Sequence, residues 1–213
     1  MILYASQTHG KRNLNALKLN GFHILTTPDT WRKKPPRWTN GNLAPFALDN
    51  GAWGCFQRGE SFNWGGFSEM AYHLGDAARW IIAPDIVGGG VESLKMSVTW
   101  RKTWKRCPVL IAVQDGMNPR DVYPHLNKET GIAIGGTTEF KRKMLPIWSS
   151  LAGSVGCYLH CLRVNTRRRM VACNLAGVDS IDGTSATIYS VNAPKIRRWM
   201  EEINRQGTLE FWR

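Results

Sequence analysis

Short apolar runs alternate along this chain with stretches whose apolar positions fall three and four residues apart. The runs at residues 2–6, 22–26, 46–49, 79–85, 109–114, 131–136, 155–164 and 178–181 read as strands, most of them bounded by glycine, proline, asparagine or aspartate. Between them, residues 11–19, 61–74, 91–106, 167–175 and 195–204 read as helices, as do stretches opening at Pro119 and after Thr137. Local chemistry marks several ends. Asn20-Gly21 closes the first helix, Pro119 stands at a first helical position, and Asn165 or Thr166 caps residues 167–175. Thr137 or Thr138 caps the helix that runs on through Met144, and Pro146 is expected to kink or end it. Ala193-Pro194 opens a closing helix that should end near Gly207.

Strands that are apolar on both faces and alternate with helices describe a parallel sheet covered on both sides. About eight of them in 213 residues predict an α/β fold, a small single-domain (β/α)8 barrel of the TIM-like kind. A doubly wound open sheet is the alternative. The whole chain, 1–213, forms that domain, with an aperiodic insertion around residues 28–45. No apolar run is long enough to cross a bilayer and no secretory leader is visible, so a cytoplasmic protein with no membrane partner is expected.

In such a barrel the C-terminal ends of all strands share one mouth. Asp49, Asp85, Gln114 or Asp115, Gly135-Gly136, Arg163 and Asp182 would then ring a single pocket. Asp115 and Asp179 read as turn-capping or supporting residues.

Charge adds a partner. The chain carries 28 Lys and Arg against 16 Asp and Glu, a formal net charge of +12, which favours a polyanion and nucleic acid above others. Arg32, Lys33, Lys34 and Arg37 alternate with Trp31, Pro35, Pro36 and Trp38 in the insertion. Cations for phosphates and indoles for bases suit a nucleic-acid strand, and the same composition describes a solvated loop pinned by two tryptophans. Arg167-Arg168-Arg169 open a helix whose N-terminus favours anions, or they form an exposed helix face. The five cysteines read as reduced, buried thiols. On a strand Cys157 and Cys161 share one face and His160 the other, so these and Cys173 are not expected to share a metal.

Several strand ends resemble, in order, those of the tRNA-guanine transglycosylase family and its DNA-acting relatives, the phage and bacterial 7-deazaguanine DNA transglycosylases. Asp49-Asn50-Gly51 is similar to the family's Asp-Ser-Gly-Gly turn, and Asp85 stands where a base-recognising aspartate is carried. Val113-Gln114-Asp115-Gly116 resembles Val-Gln-Gly-Gly, Ala133-Ile134-Gly135-Gly136 matches Ala-Ile-Gly-Gly, and residues 177–182 resemble the segment that ends in the nucleophile. The likeness spans residues 46–184.

The resemblance implies base exchange: guanine leaves its sugar and a 7-deazaguanine such as 7-cyano-7-deazaguanine takes its place. Asp182 would attack C1′, Asp49 would supply and recover a proton, Asp85 and Gln114 would read the base, and the Gly135-Gly136 backbone would approach its ring. No cofactor is implied. Arg32, Lys33, Lys34, Arg37, Arg163 and Arg167 to Arg169 would hold the nucleic acid. Two departures point from tRNA towards DNA and a phage-like member: the tRNA enzymes' cysteine-rich zinc site is missing, and Gly183-Thr184-Ser185-Ala186-Thr187 replaces their Cys-Val-x-Pro-Thr-Arg. A tRNA-acting exchanger or N-glycosylase with the same carboxylates, and a non-catalytic nucleic-acid-binding barrel, are the other readings.

Overall fold

A computed structural model describes the backbone of residues 1–210 and the side chains of residues 1–205. Eight parallel strands close into a barrel in sequential order, with β8 returning to β1. They are β1 (Ile2–Ser6), β2 (His23–Thr26), β3 (Phe46–Leu48), β4 (Ile81–Ile82), β5 (Val109–Val113), β6 (Thr130–Ile134), β7 (Leu159–Cys161) and β8 (Ser180–Gly183). The closing register sets Tyr4 opposite Asp182, which fixes the height of β8 at the mouth.

The alternation along each strand divides the core in two. Leu3, Ala5, Ile24, Phe46, Leu48, Ile111 and Ile134 point outward into the layer beneath the helices. Tyr4, Leu25, Ala47, Trp80, Ile82, Leu110, Ala112 and Ala133 fill the barrel interior. Both faces are apolar, which is why the strands read as runs without polar alternation. Small alanines on three strands leave room for the large rings. Tyr4 meets Trp80 edge-on at 5.0 Å and His160 at 5.9 Å, and Trp80 lies 4.8 Å from His160.

The helices are α1 (Lys11–Leu19), α2 (Ala52–Gln57), α3 (Trp64–Leu74), α4 (Gly90–Thr103), α5 (Pro119–Val122), α6 (Thr138–Val155), α7 (Arg167–Leu175), α8 (Ser185–Ile188) and α9 (Asn192–Glu210). Asn63, Asn118, Thr137 and Thr166 each cap a helix by accepting a backbone N–H. The short α2 and α8, directly after β3 and β8, have too few residues for a periodic signal and are absent from the sequence expectation.

Several boundaries differ from that expectation. α6 continues through Pro146, because Leu145, Trp148 and Ala152 are buried on one side of it and hold both halves against the barrel. It ends only at Gly156, in a left-handed conformation with φ 71°, so Val155 belongs to the helix and β7 is confined to three residues. β4 is shorter than expected; Ala83 still donates its N–H to the Leu110 carbonyl at 2.9 Å, and Pro84 and Asp85 continue beyond it into the mouth. α9 runs past Gly207.

The insertion at residues 28–45 contains one isolated bridge, Arg37 with Leu43, and otherwise no strand or helix. Trp31 and Trp38 turn inward against the core, while Arg32, Lys34 and Arg37 are exposed. The indoles therefore anchor the loop, and its cations line the solvent side.

Trp80→Ala would leave a void between Tyr4 and His160 and should cost about 3–5 kcal/mol of stability, measured as a lower urea midpoint with an unchanged slope.

Candidate active site

Asp49 just after β3, Asp85 three residues past β4 and Asp182 within β8 come to the same end of the barrel. Asp49 remains tied to β2, its N–H donating to the Thr26 carbonyl at 2.8 Å. Its Oδ1 accepts from the Gly51 N–H at 2.7 Å. That turn needs glycine: Gly51 has φ 78°, and an added Cβ would lie 3.0 Å from Pro28. The buried Asn50 between them donates from Nδ2 to the Ala83 carbonyl at 2.6 Å and to Asp85 Oδ1 at 2.7 Å. Asn50 thus joins the end of β3 to the segment after β4 and sets one oxygen of Asp85.

Gln114 sets the rest of that segment. Its Oε1 accepts from Gly88 N–H at 2.7 Å, and its Nε2 donates to the Ile86 carbonyl at 2.7 Å and Ser93 Oγ at 2.9 Å, with Asp85 Oδ2 further off at 3.5 Å. Both halves of the amide are engaged within the protein. The expected donation from Gln114 to a purine carbonyl would break one of these bonds, so the residue acts here as the brace of the Asp85 loop.

Asp182 is held from two sides. Its Oδ1 accepts from the Arg163 N–H at 2.9 Å and lies 3.2 Å from His160 Nε2. His160 is fully buried inside the barrel, and its Nδ1 is 2.7 Å from Ser180 Oγ. Ser180, His160 and Asp182 form a chain from the barrel interior to the mouth. Among the described residues, all hydrogen bonds to this carboxylate go to Oδ1, which leaves Oδ2 for chemistry.

Arg163 is central to the ring. Among the described residues it is one of two non-glycine positions with positive φ, at 57°, a conformation that costs about 1 kcal/mol and is held by its contacts. Its backbone fixes Asp182, its guanidinium donates to the Gly136 carbonyl at 2.9 Å, and the same group stacks 3.9 Å above the Trp53 ring. Trp53 in turn stacks on Phe56, and both rings are partly exposed at the mouth. Gly136 has φ 71°, and a Cβ there would come within 2.5 Å of Asp115 Oδ2. Asp115 is occupied in binding the Thr137 N–H at 2.7 Å and its hydroxyl at 2.8 Å, and Asp179 Oδ2 accepts from Leu159 N–H at 2.8 Å. Both are structural ties. Gly135 and Gly136 follow β6 at the same level as the carboxylates.

Burial, and then the charge of Asp182, push Asp49 up to about 6, against the pull of the Gly51 N–H and the His160 and Arg163 charges. Burial likewise raises Asp85 to about 6, with Asn50 and Arg163 opposing and Asp49 adding to the rise. Two carboxyls that titrate near neutrality can carry protons in both directions.

The cysteines lie elsewhere. Cys157, Cys161 and Cys173 sit in the outer layer between barrel and helices, on the other face of the sheet from His160. Among the described residues no group of three His, Cys, Asp or Glu side chains is placed to hold a metal. Of the expected nucleic-acid cations, Lys33 pairs with Glu69 at 2.9 Å and Arg167 with Glu202 at 3.3 Å. Arg169 donates to Thr138 Oγ1 at 3.0 Å, whereas Arg168 is exposed. Sequence reasoning missed Asn50, Trp53 and the role of His160. The alternation that set His160 opposite Cys157 and Cys161 was the available signal for its place inside the barrel.

Asp85 holds a proton in the folded state between about pH 4 and 6 that the unfolded chain has lost, so stability should fall as pH rises through that window. Asp85→Asn removes this ionisation and should stabilise the protein at pH 7.5 by about 1–3 kcal/mol while flattening the dependence; thermal melts from pH 4 to 8 check it.

No protein-family model matches the chain, and no curated protein matches it.

Proposed function

We propose that this protein is a transglycosylase that exchanges a guanine in DNA for a 7-deazaguanine base through a covalent aspartyl-sugar intermediate. The observation that carries the reading is the pairing of Asp182, fixed through one oxygen by Arg163 and His160, with Asp49, whose proton affinity is raised to about 6. One carboxylate is positioned to attack and its neighbour to move a proton.

In the first half-reaction Asp182 Oδ2 forms a bond to C1′ as the bond from C1′ to the base nitrogen breaks, and Asp49 gives the departing guanine its proton. Asp49 then takes a proton from the incoming 7-deazaguanine, whose nitrogen attacks C1′ and releases Asp182. The backbone is never cut. Asp85, set by Asn50 and Gln114, accepts from the amino and imino edge of the base. The basic charge of the chain favours the phosphates, and a guanine within a duplex must be flipped out to reach the mouth, at a cost of a few kcal/mol. DNA is preferred over tRNA on the two departures from the tRNA enzymes described above.

The test is incorporation of labelled 7-cyano-7-deazaguanine into duplex DNA, single-stranded DNA and tRNA, with guanine release followed in parallel. Matching label and guanine in DNA are expected; release without label would mean a glycosylase, and label in tRNA would reverse the substrate. Asp182→Asn should abolish exchange, by at least about 10³-fold, while DNA affinity at fixed salt is nearly unchanged.

The pH dependence has opposite limbs. Asp49 is protonated below about 6, so single-turnover guanine release should fall about tenfold per pH unit well above that value. Asp85 ionises above about 6, so affinity for the free base should improve in the same direction. Stopped release and equilibrium base binding measured from pH 5 to 8 separate the two.

A further inference from the structure

A cavity of ≈ 250 Å³ lies between the segment after β1 and the insertion at residues 28–45. It is smaller than the roughly 300–1,000 Å³ of a pocket for a whole drug-sized ligand, and suits a single ring system. Three properties of its walls point to one kind of occupant. Leu14, Ile24 and Pro36 give it apolar lining, and Arg32, Lys34 and Arg37 line it with exposed cations. Gln7, the residue after β1, also lines it; its Oε1 is sealed from solvent, so the half of the amide left to meet a ligand is Nε2, which donates to no other described residue. A ring carbonyl or ring nitrogen of a ligand can accept from that Nε2.

The cavity is preformed. His9 Nε2 lies 3.0 Å from the Thr30 carbonyl, linking the loop after β1 to the insertion, and Arg37 donates to the Gly41 carbonyl at 2.7 Å to close the loop on itself. Trp31 and Trp38 anchor the same loop in the core. Lys33 points to Glu69 and takes no part in the lining.

We propose that this cavity is a nucleotide subsite. A base carrying a ring carbonyl enters the apolar lining and accepts from Gln7 Nε2, and its phosphate meets Arg32, Lys34 and Arg37. The cavity is separate from the carboxylate ring. The inference rests on the nucleic-acid reading of the basic surface but not on base exchange at Asp182, and the nucleotide is either one flanking unit of the strand or a free mononucleotide.

The test is binding by the full chain, read as fluorescence anisotropy of a short labelled single-stranded oligodeoxynucleotide containing one guanine, with abasic sites scanned through the flanking positions. Deoxycytidine 5′-monophosphate and inorganic phosphate serve as competitors. One flanking position is expected at which base removal weakens binding about tenfold, and Gln7→Leu should cause a similar loss and abolish sensitivity at that position alone. Lys34→Ala with Arg37→Ala should weaken binding and lower the salt slope. Gln7→Glu, of the same shape, guards against misfolding and should weaken binding by placing an acceptor where the base needs a donor.

Gln7-dependent competition by the mononucleotide, with no sensitive position in the strand, would identify the free nucleotide as the occupant. Flat abasic scans together with no Gln7-dependent mononucleotide binding, or phosphate competing as well as the mononucleotide, would overturn the subsite. Because binding is the readout, a Gln7-dependent position in a protein that exchanges no base would leave this inference standing and remove the exchange reading; exchange without such a position would do the reverse.

Discussion

Three carboxylates at the mouth of a closed barrel are a costly arrangement, and the contacts of Arg163 hold them there. Its backbone N–H fixes Asp182 Oδ1, and its charge opposes the rise that burial imposes on Asp49 and Asp85. To do both it adopts a left-handed backbone conformation and rests its guanidinium between the Gly136 carbonyl and the Trp53 ring. Backbone strain held in place by contacts at both ends of the side chain is consistent with the functional reading proposed above.

The supports of this ring come from below and from the side. His160 and Ser180 rise from the barrel interior to Asp182, among the rings of Tyr4 and Trp80. Asn50 and Gln114 act laterally, tying β3, β4 and β5 to the loop that carries Asp85. Polar side chains that would each be expensive to bury are tolerated because each is bonded at both ends. Fixed donors of this kind cost no reorganisation when charge moves, which is the condition for rapid proton transfer between neighbouring carboxyls.

Much of the architecture was legible in the sequence because a parallel barrel makes every strand a buried apolar run, and all eight runs became strands. The boundary between α6 and β7 was not, since apolar residues continue from helix into strand and only Gly156 marks the stop. The convergence of Asp49, Asp85 and Asp182 followed from strand order alone. The engagement of Gln114 did not, because its partners Ile86, Gly88 and Ser93 lie in a loop and a helix start whose shape has no sequence period. In the insertion, composition named the cations and indoles but not their directions; burial turned Trp31 and Trp38 inward and left the charges outside.

The central claim is that Asp182 becomes bonded to a sugar. Incubating the protein with guanine-containing DNA in the absence of any incoming base, quenching in acid and digesting both partners should yield a peptide containing Asp182 whose mass has increased by a DNA-derived fragment attached through C1′. The account expects that adduct on Asp182 and its loss when 7-cyano-7-deazaguanine is added before the quench. Guanine released with no adduct on Asp182, or an adduct mapped to another residue, would contradict it.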